Sequence, residues 1–218
     1  MASLLLRRSG IAVGIVAEVL KWRADVIYQV GVGGFHQEVD VLKKEWPGVV
    51  FVGFEPCPAI YKGIKASYPG TLYPWAISDR EGHAPLHIKS KHKDGSTLAT
   101  MRDCKVTLVP LATLNTIPID KSVRNLLWLD CEGSELVALR GASQFIQAVD
   151  VVNVEMTGKP VAEVGWCKPI EVHQLLVEYG FRRQWLHTCR LMIGQYDAIY
   201  VRQKMFRPEY CCDPWEEN

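Results

Sequence analysis

Apolar segments typical of buried strands alternate with segments of helical periodicity, and this alternation limits the fold more than any other feature of the sequence. DVIYQVGV has the apolar character of a strand buried on both faces, and FHQEVDVLKKEW after it repeats apolar residues at helical spacing. VVFVGFEP and PAIYKGIKASYPG repeat the same order of strand and helix. This order predicts an α/β fold built on a doubly wound, mostly parallel sheet that helices cover.

The rest of the chain continues this pattern and then changes it. TLYPWAIS predicts a third strand. PLHIKS alternates apolar and polar residues, which is typical of a strand with one solvent-exposed face. NLLWLDCEG and VDVVNVEM are typical of further buried strands. Helices are predicted for SELVALRGASQFI, with Ser134 as a candidate cap, and for KPIEVHQLLVEYGF. RRQWLHTC and YDAIYVRQ indicate an antiparallel pair. We therefore predict one domain over residues 25–204, after a helical lead-in at 1–24 and before a loosely held tail at 205–218.

Composition narrows the class of protein. The chain has 218 residues, 48% of them hydrophobic, and a net charge of +1, so its global charge does not call for nucleic acid or an anionic membrane as partner. Its 7 cysteines include no C-x-x-C pair, which favours reduced thiols and a cytoplasmic location. The arginine pair in LLLRRSGIAVGIVAEVL would also suit an export signal, but the apolar run at 10–17 is too short to span a bilayer. We favour a helix there.

The glycine cluster after the first predicted strand indicates a ligand site, because ligands of doubly wound sheets bind beyond the carboxyl ends of the strands. Gly31, Gly33 and Gly34 would let a ligand approach the backbone. A dinucleotide fingerprint would need glycine or alanine where His36 stands. Glu55 ends the second strand, where an acid can accept hydrogen bonds from ribose hydroxyls. The pattern favours a nucleoside and does not require a pyrophosphate. The alternative is a glycine turn beside a surface glutamate.

Carboxylates follow most of the predicted strands. Asp79 follows the third strand, Asp130 ends the fourth with Glu132 and Glu135 close behind, and Glu155 ends the fifth. Each acid alone could be a helix cap or a member of a salt bridge. Acids at a buried edge need partners, however, and together these predict a site.

Several segments resemble one enzyme family in their order and spacing: GVGGFHQE, FEP, AISDREG, LATLNTI, LWLDCEGSELVALRGA, VVNVEM and LLVEYGF. They are similar to the FkbM-type S-adenosylmethionine-dependent methyltransferases, over roughly residues 27–181. The resemblance implies a class I methyltransferase fold, Rossmann-like, whose seven-stranded sheet ends in an antiparallel hairpin. It also implies O-methylation of a hydroxyl on a sugar, glycan or other small molecule, with S-adenosylhomocysteine as product.

The resemblance also implies roles for single residues. Gly31 and Gly33 would lie under the methionine half of the cofactor, and Glu55 would hold the ribose. Ile77, Ser78 and Asp79 would border the adenine, and Asp130 would face the reactive end. The family commonly has D-x-G-A-N at the first strand, whereas this chain has Gln29 and Gly33, so contacts from the segment after the glycines would compensate. The predicted cofactor set is Gln29, Gly31, Gly33, Gly34, His36, Glu38, Glu55, Pro56, Ile77, Ser78, Asp79 and Asp130.

Methyl transfer from a sulfonium is an in-line displacement, so alignment of the reactants and removal of the hydroxyl proton are what a protein can contribute. We predict Asp130 as the base, with Glu132 and Glu155 orienting the acceptor. Clustered carboxylates also suit a divalent metal, although none is predicted. Lys91 and His92, in the polar segment HIKSKHKDGSTL, are predicted to contact the acceptor.

Two other functions stay open at this point. A nucleic-acid substrate could bind the same basic segment, although a solvated basic loop explains it as well. A nucleoside-binding module without catalytic activity would also be compatible with the altered opening motif.

Overall fold

The main sheet of the computed structural model has the predicted topology. The structure describes residues 20–34, 37–89, 96–100, 104–157, 167–188 and 195–211. The strand order in the seven-stranded sheet is β3-β2-β1-β7-β8-β10-β9, in which β10 alone runs antiparallel to its neighbours. This confirms the doubly wound α/β fold with a C-terminal antiparallel hairpin. Its strands are β1 (Val26–Val30), β2 (Val50–Phe54), β3 (Thr71–Tyr73), β7 (Asn125–Leu129), β8 (Val151–Thr157), β9 (Phe181–Thr188) and β10 (Gln195–Arg202).

A second sheet of three strands covers one end of the first. It contains β4 (Ala76–Ile77), β5 (Gly82–Lys89) and β6 (Cys104–Ala112), in the order β4-β6-β5. The prediction of one continuous third strand in TLYPWAIS was wrong, because Pro74 lies between β3 in the main sheet and β4 in the small sheet. Proline has no N–H to donate to a ladder, so the chain leaves one sheet at this residue and joins the other.

The helices cover both faces of the main sheet. They are α1 (Gln37–Glu45), α2 (Pro58–Ile64), α3 (Glu135–Arg140) and α4 (Pro169–Glu178), with short 3-10 segments at Leu114–Thr116, Phe145–Ala148, Gln203–Met205 and Pro208–Tyr210. Side chains of α1 and α2 belong to one core with Ile27, whereas those of α3 and α4 belong to another with Tyr28 and Val30. Neighbouring residues of β1 therefore point to opposite faces. Within the described ranges, no helix is both long and apolar enough to cross a bilayer.

Arg202, the last residue of β10, contacts the end of α4, the start of β9 and the 3-10 segment Phe145–Ala148. Its guanidinium donates hydrogen bonds to the carbonyls of Val149 (2.9 Å), Tyr179 (2.7 Å) and Ile146. It also lies over the ring of Phe181, 4.1 Å from the centroid. Burial lowers the pKa of Arg202, because the charged form has lost water. These hydrogen bonds satisfy carbonyls at the end of α4 and beside the 3-10 segment Phe145–Ala148.

The chain after β10 returns along β9. Gln184 lies at a register shift in the pairing of β9 with β10, and its amide donates to the Arg207 carbonyl (2.9 Å) and accepts from the Arg207 N–H (2.8 Å). The Cys211 thiol lies 3.6 Å from the Arg183 carbonyl. The described part of the predicted tail is thus hydrogen-bonded to an edge strand of the main sheet.

We expect Arg202→Met to lower the free energy of unfolding by about 3 kcal/mol, because several buried carbonyls would lose their donor at once. Urea denaturation followed by circular dichroism measures the change. Lys204→Met removes a nearby exposed cation and should change stability by less than about 0.5 kcal/mol. Equal effects of the two substitutions would contradict the structural role of Arg202.

Candidate active site

A cavity of about 200 Å³ lies where β1, β2 and β7 end and the small sheet begins. Its walls come from the loops after these three strands, from β4 and β5, and from the segment at 96–98. Parallel strands present their carboxyl ends at this edge, which is where doubly wound sheets bind ligands. The residues of the predicted site that line it are Gln29, Gly31, Gly33, Gly34, Glu55, Pro56, Ile77, Asp130 and Glu132.

Gly31 brings the ends of β1 and β7 into direct contact. Its φ of 83° is in the region that favours glycine, and a Cβ on it would overlap the carbonyl oxygen of Asp130. The Gly31 N–H donates to the Phe54 carbonyl at 3.0 Å, and the Asp130 N–H donates to the Val30 carbonyl at 2.9 Å. Glycine is therefore required at position 31 by the neighbouring strand itself.

Glu55 fastens the glycine loop to the start of α2. One carboxylate oxygen accepts a hydrogen bond from the Gly33 N–H at 2.9 Å, and the other accepts from the Cys57 N–H at 2.8 Å. Only 4% of the residue is exposed. Because charge-assisted hydrogen bonds to backbone N–H groups offset the cost of burying a carboxylate, Glu55 can stay at the cavity wall.

Gln29 is buried beneath the same loop. Its side-chain oxygen accepts a hydrogen bond from the Tyr68 hydroxyl at 3.2 Å. Burial raises the pKa of Tyr68, because the phenolate would lose its contact with water. The hydrogen bond from Tyr68 orients the Gln29 amide, at a position where the family that the sequence resembles commonly has an acid.

The loop after β7 holds Asp130 and Glu132 at the cavity. Glu132 has a φ of 51° and Gly133 has a φ of 92°, so the chain turns sharply between the strand and α3. Such a conformation is uncommon for a residue with a side chain and has to be held by its surroundings.

Glu135 accepts hydrogen bonds from the backbone of this loop. One of its oxygens accepts from the N–H groups of Cys131 and Gly133, each at 3.1 Å, and the other accepts from the Cys167 thiol at 3.2 Å. Burial raises the pKa of Glu135, and these hydrogen bonds oppose that rise. The predicted cap, Ser134, makes no side-chain capping hydrogen bond, and Glu135 binds N–H groups of the loop that precedes α3.

Three predicted residues, Ser78, Asp79 and Glu155, are not among the described residues that line the cavity. The carbonyl of Ser78 lies against Gly141, and Asp79 pairs with Arg80 at 3.3 Å. Glu155 lies opposite Asp197 in the pairing of β8 with β10. His36, Lys91 and His92 fall outside the described residues, as does the side chain of Glu38.

Trp75 lines the cavity although the sequence did not single it out. Its ring stacks on Tyr73 at 4.5 Å between centroids, and Tyr73 stacks on Phe54 at 5.6 Å. The three rings form a ladder from the core to the cavity wall. Pro74 was the sequence signal, since a proline inside an apparent strand marks a break that can redirect a neighbouring side chain.

The segment at 96–98 forms the wall opposite the main sheet. Thr97 exchanges two backbone hydrogen bonds with His87 of β5, at 2.9 and 3.0 Å, and Ser96, Thr97 and Leu98 all line the cavity. Periodicity could not indicate this bridge, because a single pair of residues forms it.

In the ranges that the structure describes, no group of three or more His, Cys, Asp or Glu side chains could hold a metal ion.

Comparisons with known proteins show which family and which solved structures this chain is similar to. The family model for the methyltransferase FkbM domain matches residues 25–189. Magnesium protoporphyrin IX methyltransferase from Synechocystis PCC 6803, solved with bound S-adenosylmethionine, has a similar fold (TM-score 0.52, 10% identity), covering 89% of this chain and 77% of that one. The methyltransferase FkbM from Methylobacillus flagellatus KT is similar at a TM-score of 0.52 and 13% identity, covering 82% of this chain and 43% of that one.

A further similar structure is the Burkholderia thailandensis 1,6-didemethyltoxoflavin-N1-methyltransferase with bound S-adenosylhomocysteine (TM-score 0.50, 9% identity), covering 90% of this chain and 79% of that one. No curated protein sequence matches the chain. The bound molecules agree with the predicted cofactor, and identities this low show the fold alone. Since the family model matches most of the sequence and the sheet has the expected order, this chain belongs to the FkbM methyltransferase family.

Proposed function

We propose that the protein transfers a methyl group from S-adenosylmethionine to a hydroxyl of a sugar, glycan or other small molecule. One observation carries the proposal: Glu55, the glycine loop and Asp130 meet in a single cavity at the strand ends. When bound, S-adenosylmethionine supplies a methyl group on a positively charged sulfur. The chain's own residues have to hold that group, align the acceptor with it and accept a proton.

Glu55 would hold the ribose while it continues to hold the loop. A carboxylate can accept about four hydrogen bonds, so ribose hydroxyls can join the two backbone N–H donors. Trp75 and Ile77 line the cavity with apolar surface that a base can contact, and Gly31, which touches the Asp130 carbonyl, lines it as well. With the base against Trp75 and Ile77, the amino-acid half of the cofactor would lie beside Gly31 and Asp130.

Asp130 would accept the acceptor's proton at a side-chain oxygen. It lies at the end of β7, where the hydrogen bond of its N–H to Val30 fixes the backbone. Glu132 is held in its turn by the hydrogen bonds of Glu135 and would orient the hydroxyl. We assign no acceptor contact to Glu155, because it lies outside the cavity wall.

We expect S-adenosylhomocysteine to bind with a stoichiometry of one, and NAD not to bind. The reason is that the cavity pairs a ribose-binding acid with a loop lacking the third glycine of the dinucleotide fingerprint. Isothermal titration calorimetry measures both. Tight binding of NAD without binding of S-adenosylhomocysteine would refute the proposed function.

Glu55→Gln should weaken binding of S-adenosylhomocysteine about tenfold or more, because the amide can accept at one oxygen only and carries no charge. Calorimetry on the folded variant measures the dissociation constant. Glu81→Gln neutralises an exposed acid as the matched control and should leave binding unchanged. An unaltered constant in Glu55→Gln would show that Glu55 serves the loop alone.

Asp130→Asn should lower turnover about a hundredfold to ten-thousandfold while binding of S-adenosylhomocysteine changes only a few-fold, because the shape is kept and the base is lost. Transfer of a labelled methyl group to a panel of hydroxylated small molecules identifies the acceptor and measures the rate. Asp40→Asn, on the exposed face of α1, is the control.

EDTA should leave the rate of the wild-type protein unchanged. A loss that magnesium restores would assign Asp130 to a metal instead, and would contradict its role as base.

A further inference from the structure

A second cavity of about 390 Å³ runs between α4 and the β9–β10 hairpin. α4, Leu186 and Tyr200 line it on the α3 and α4 face of the main sheet, and it reaches around the edge strand β9 to Arg182 and Phe206. None of its lining residues belongs to the first cavity. Its volume falls within the range of pockets that hold small organic molecules. The proposed methyl transfer makes no use of it.

The long wall of this cavity is apolar and partly open to solvent. Ile170 is 44% exposed and Val177 is 46% exposed, and their spacing places them two turns apart on one side of α4. Seven residues of helix rise about 10 Å, so the wall is elongated. Leu186 and Phe206 also line the cavity. Exposed apolar surface in a concave site favours a ligand with an apolar body.

Polar groups line the cavity at two places. Nδ1 of His173 lies 3.0 Å from the hydroxyl of the fully buried Tyr200, which orients the imidazole. Around the edge of β9, the Arg182 guanidinium lies over the ring of Phe206, 5.0 Å from the centroid. In the part of the chain that the structure describes, no carboxylate forms an ion pair with Arg182.

We propose that this cavity binds an elongated amphipathic anion, an aromatic or aliphatic body that carries a carboxylate or sulfonate. Arg182 receives the anionic group, since stacking on Phe206 orients the guanidinium and leaves N–H donors in its plane. The body lies along Ile170 and Val177 and passes His173. Because the two cavities share no lining residue, this site works whether or not the protein transfers methyl groups.

The test uses two fluorescent probes that differ in one group. 8-Anilinonaphthalene-1-sulfonate is the amphipathic anion, and N-phenyl-1-naphthylamine is its neutral analogue without the sulfonate. We expect the sulfonate to bind at one saturable site, at least tenfold more tightly than the neutral probe. Saturating S-adenosylhomocysteine should leave that binding unchanged.

Arg182→Met should weaken binding of the sulfonate about tenfold and leave binding of the neutral probe unchanged. Arg80→Met, at an arginine 68% exposed elsewhere on the surface, is the matched control and should have no effect. Ile170→Glu places a negative charge at the rim of the cavity and should weaken the sulfonate more than the neutral probe, through a residue exposed enough for the fold to tolerate the change.

Three results would overturn the proposal. They are equal affinity of the two probes for the wild-type protein, sulfonate binding that neither substitution alters, and displacement of the sulfonate by S-adenosylhomocysteine. The last would assign the probe to the first cavity.

Discussion

The contact between Gly31 and the Asp130 carbonyl is the constraint on which the rest of the site depends. It brings the ends of β1 and β7 together beyond their last paired residues, and the hydrogen bond from Gly31 to Phe54 adds β2 to the same junction. Three loops then leave the sheet from one point. The acids that follow β2 and β7 face the same cavity because their strands are joined in this way.

Two buried glutamates hold the loops that follow this junction by hydrogen bonds to their backbone. Glu55 binds N–H groups after β1 and β2, and Glu135 binds N–H groups after β7. A buried carboxylate is costly without donors, and a loop with unpaired N–H groups is costly as well, so each satisfies the other. Residues proposed to act on ligands therefore lie on loops that acids of the fold already hold in place.

The sequence was most informative where periodicity and strand ends carry the signal. The order of strands and helices in the main sheet and the terminal hairpin were predictable, because each of these elements repeats its own pattern over several residues. TLYPWAIS was misjudged because its apolar content continues across Pro74 while its hydrogen bonding does not. Glu155 ends an apolar run as Asp130 does, and the register of β7 with β8 brings the two acids to neighbouring positions, yet Glu155 does not line the cavity. Which residues at neighbouring strand ends face a cavity depends on strand pairing, and single segments do not contain that information.

Trp75 and Thr97 were not predicted, for a related reason. Each lines the cavity through a contact with a different element, Trp75 through Tyr73 of β3 and Thr97 through His87 of β5. Local patterns describe a residue's neighbours along the chain, whereas these positions depend on neighbours that are distant in sequence.

The place of β10 has a consequence for how the molecule is made. β9 comes before β10 in the chain but pairs in the sheet only with it, since β10 lies between β8 and β9. During synthesis β9 therefore has no strand to join until β10 has left the ribosome. Arg202 ends β10, so its hydrogen bonds to Val149 and Tyr179 also wait for that strand, which completes both the sheet and the packing beside it.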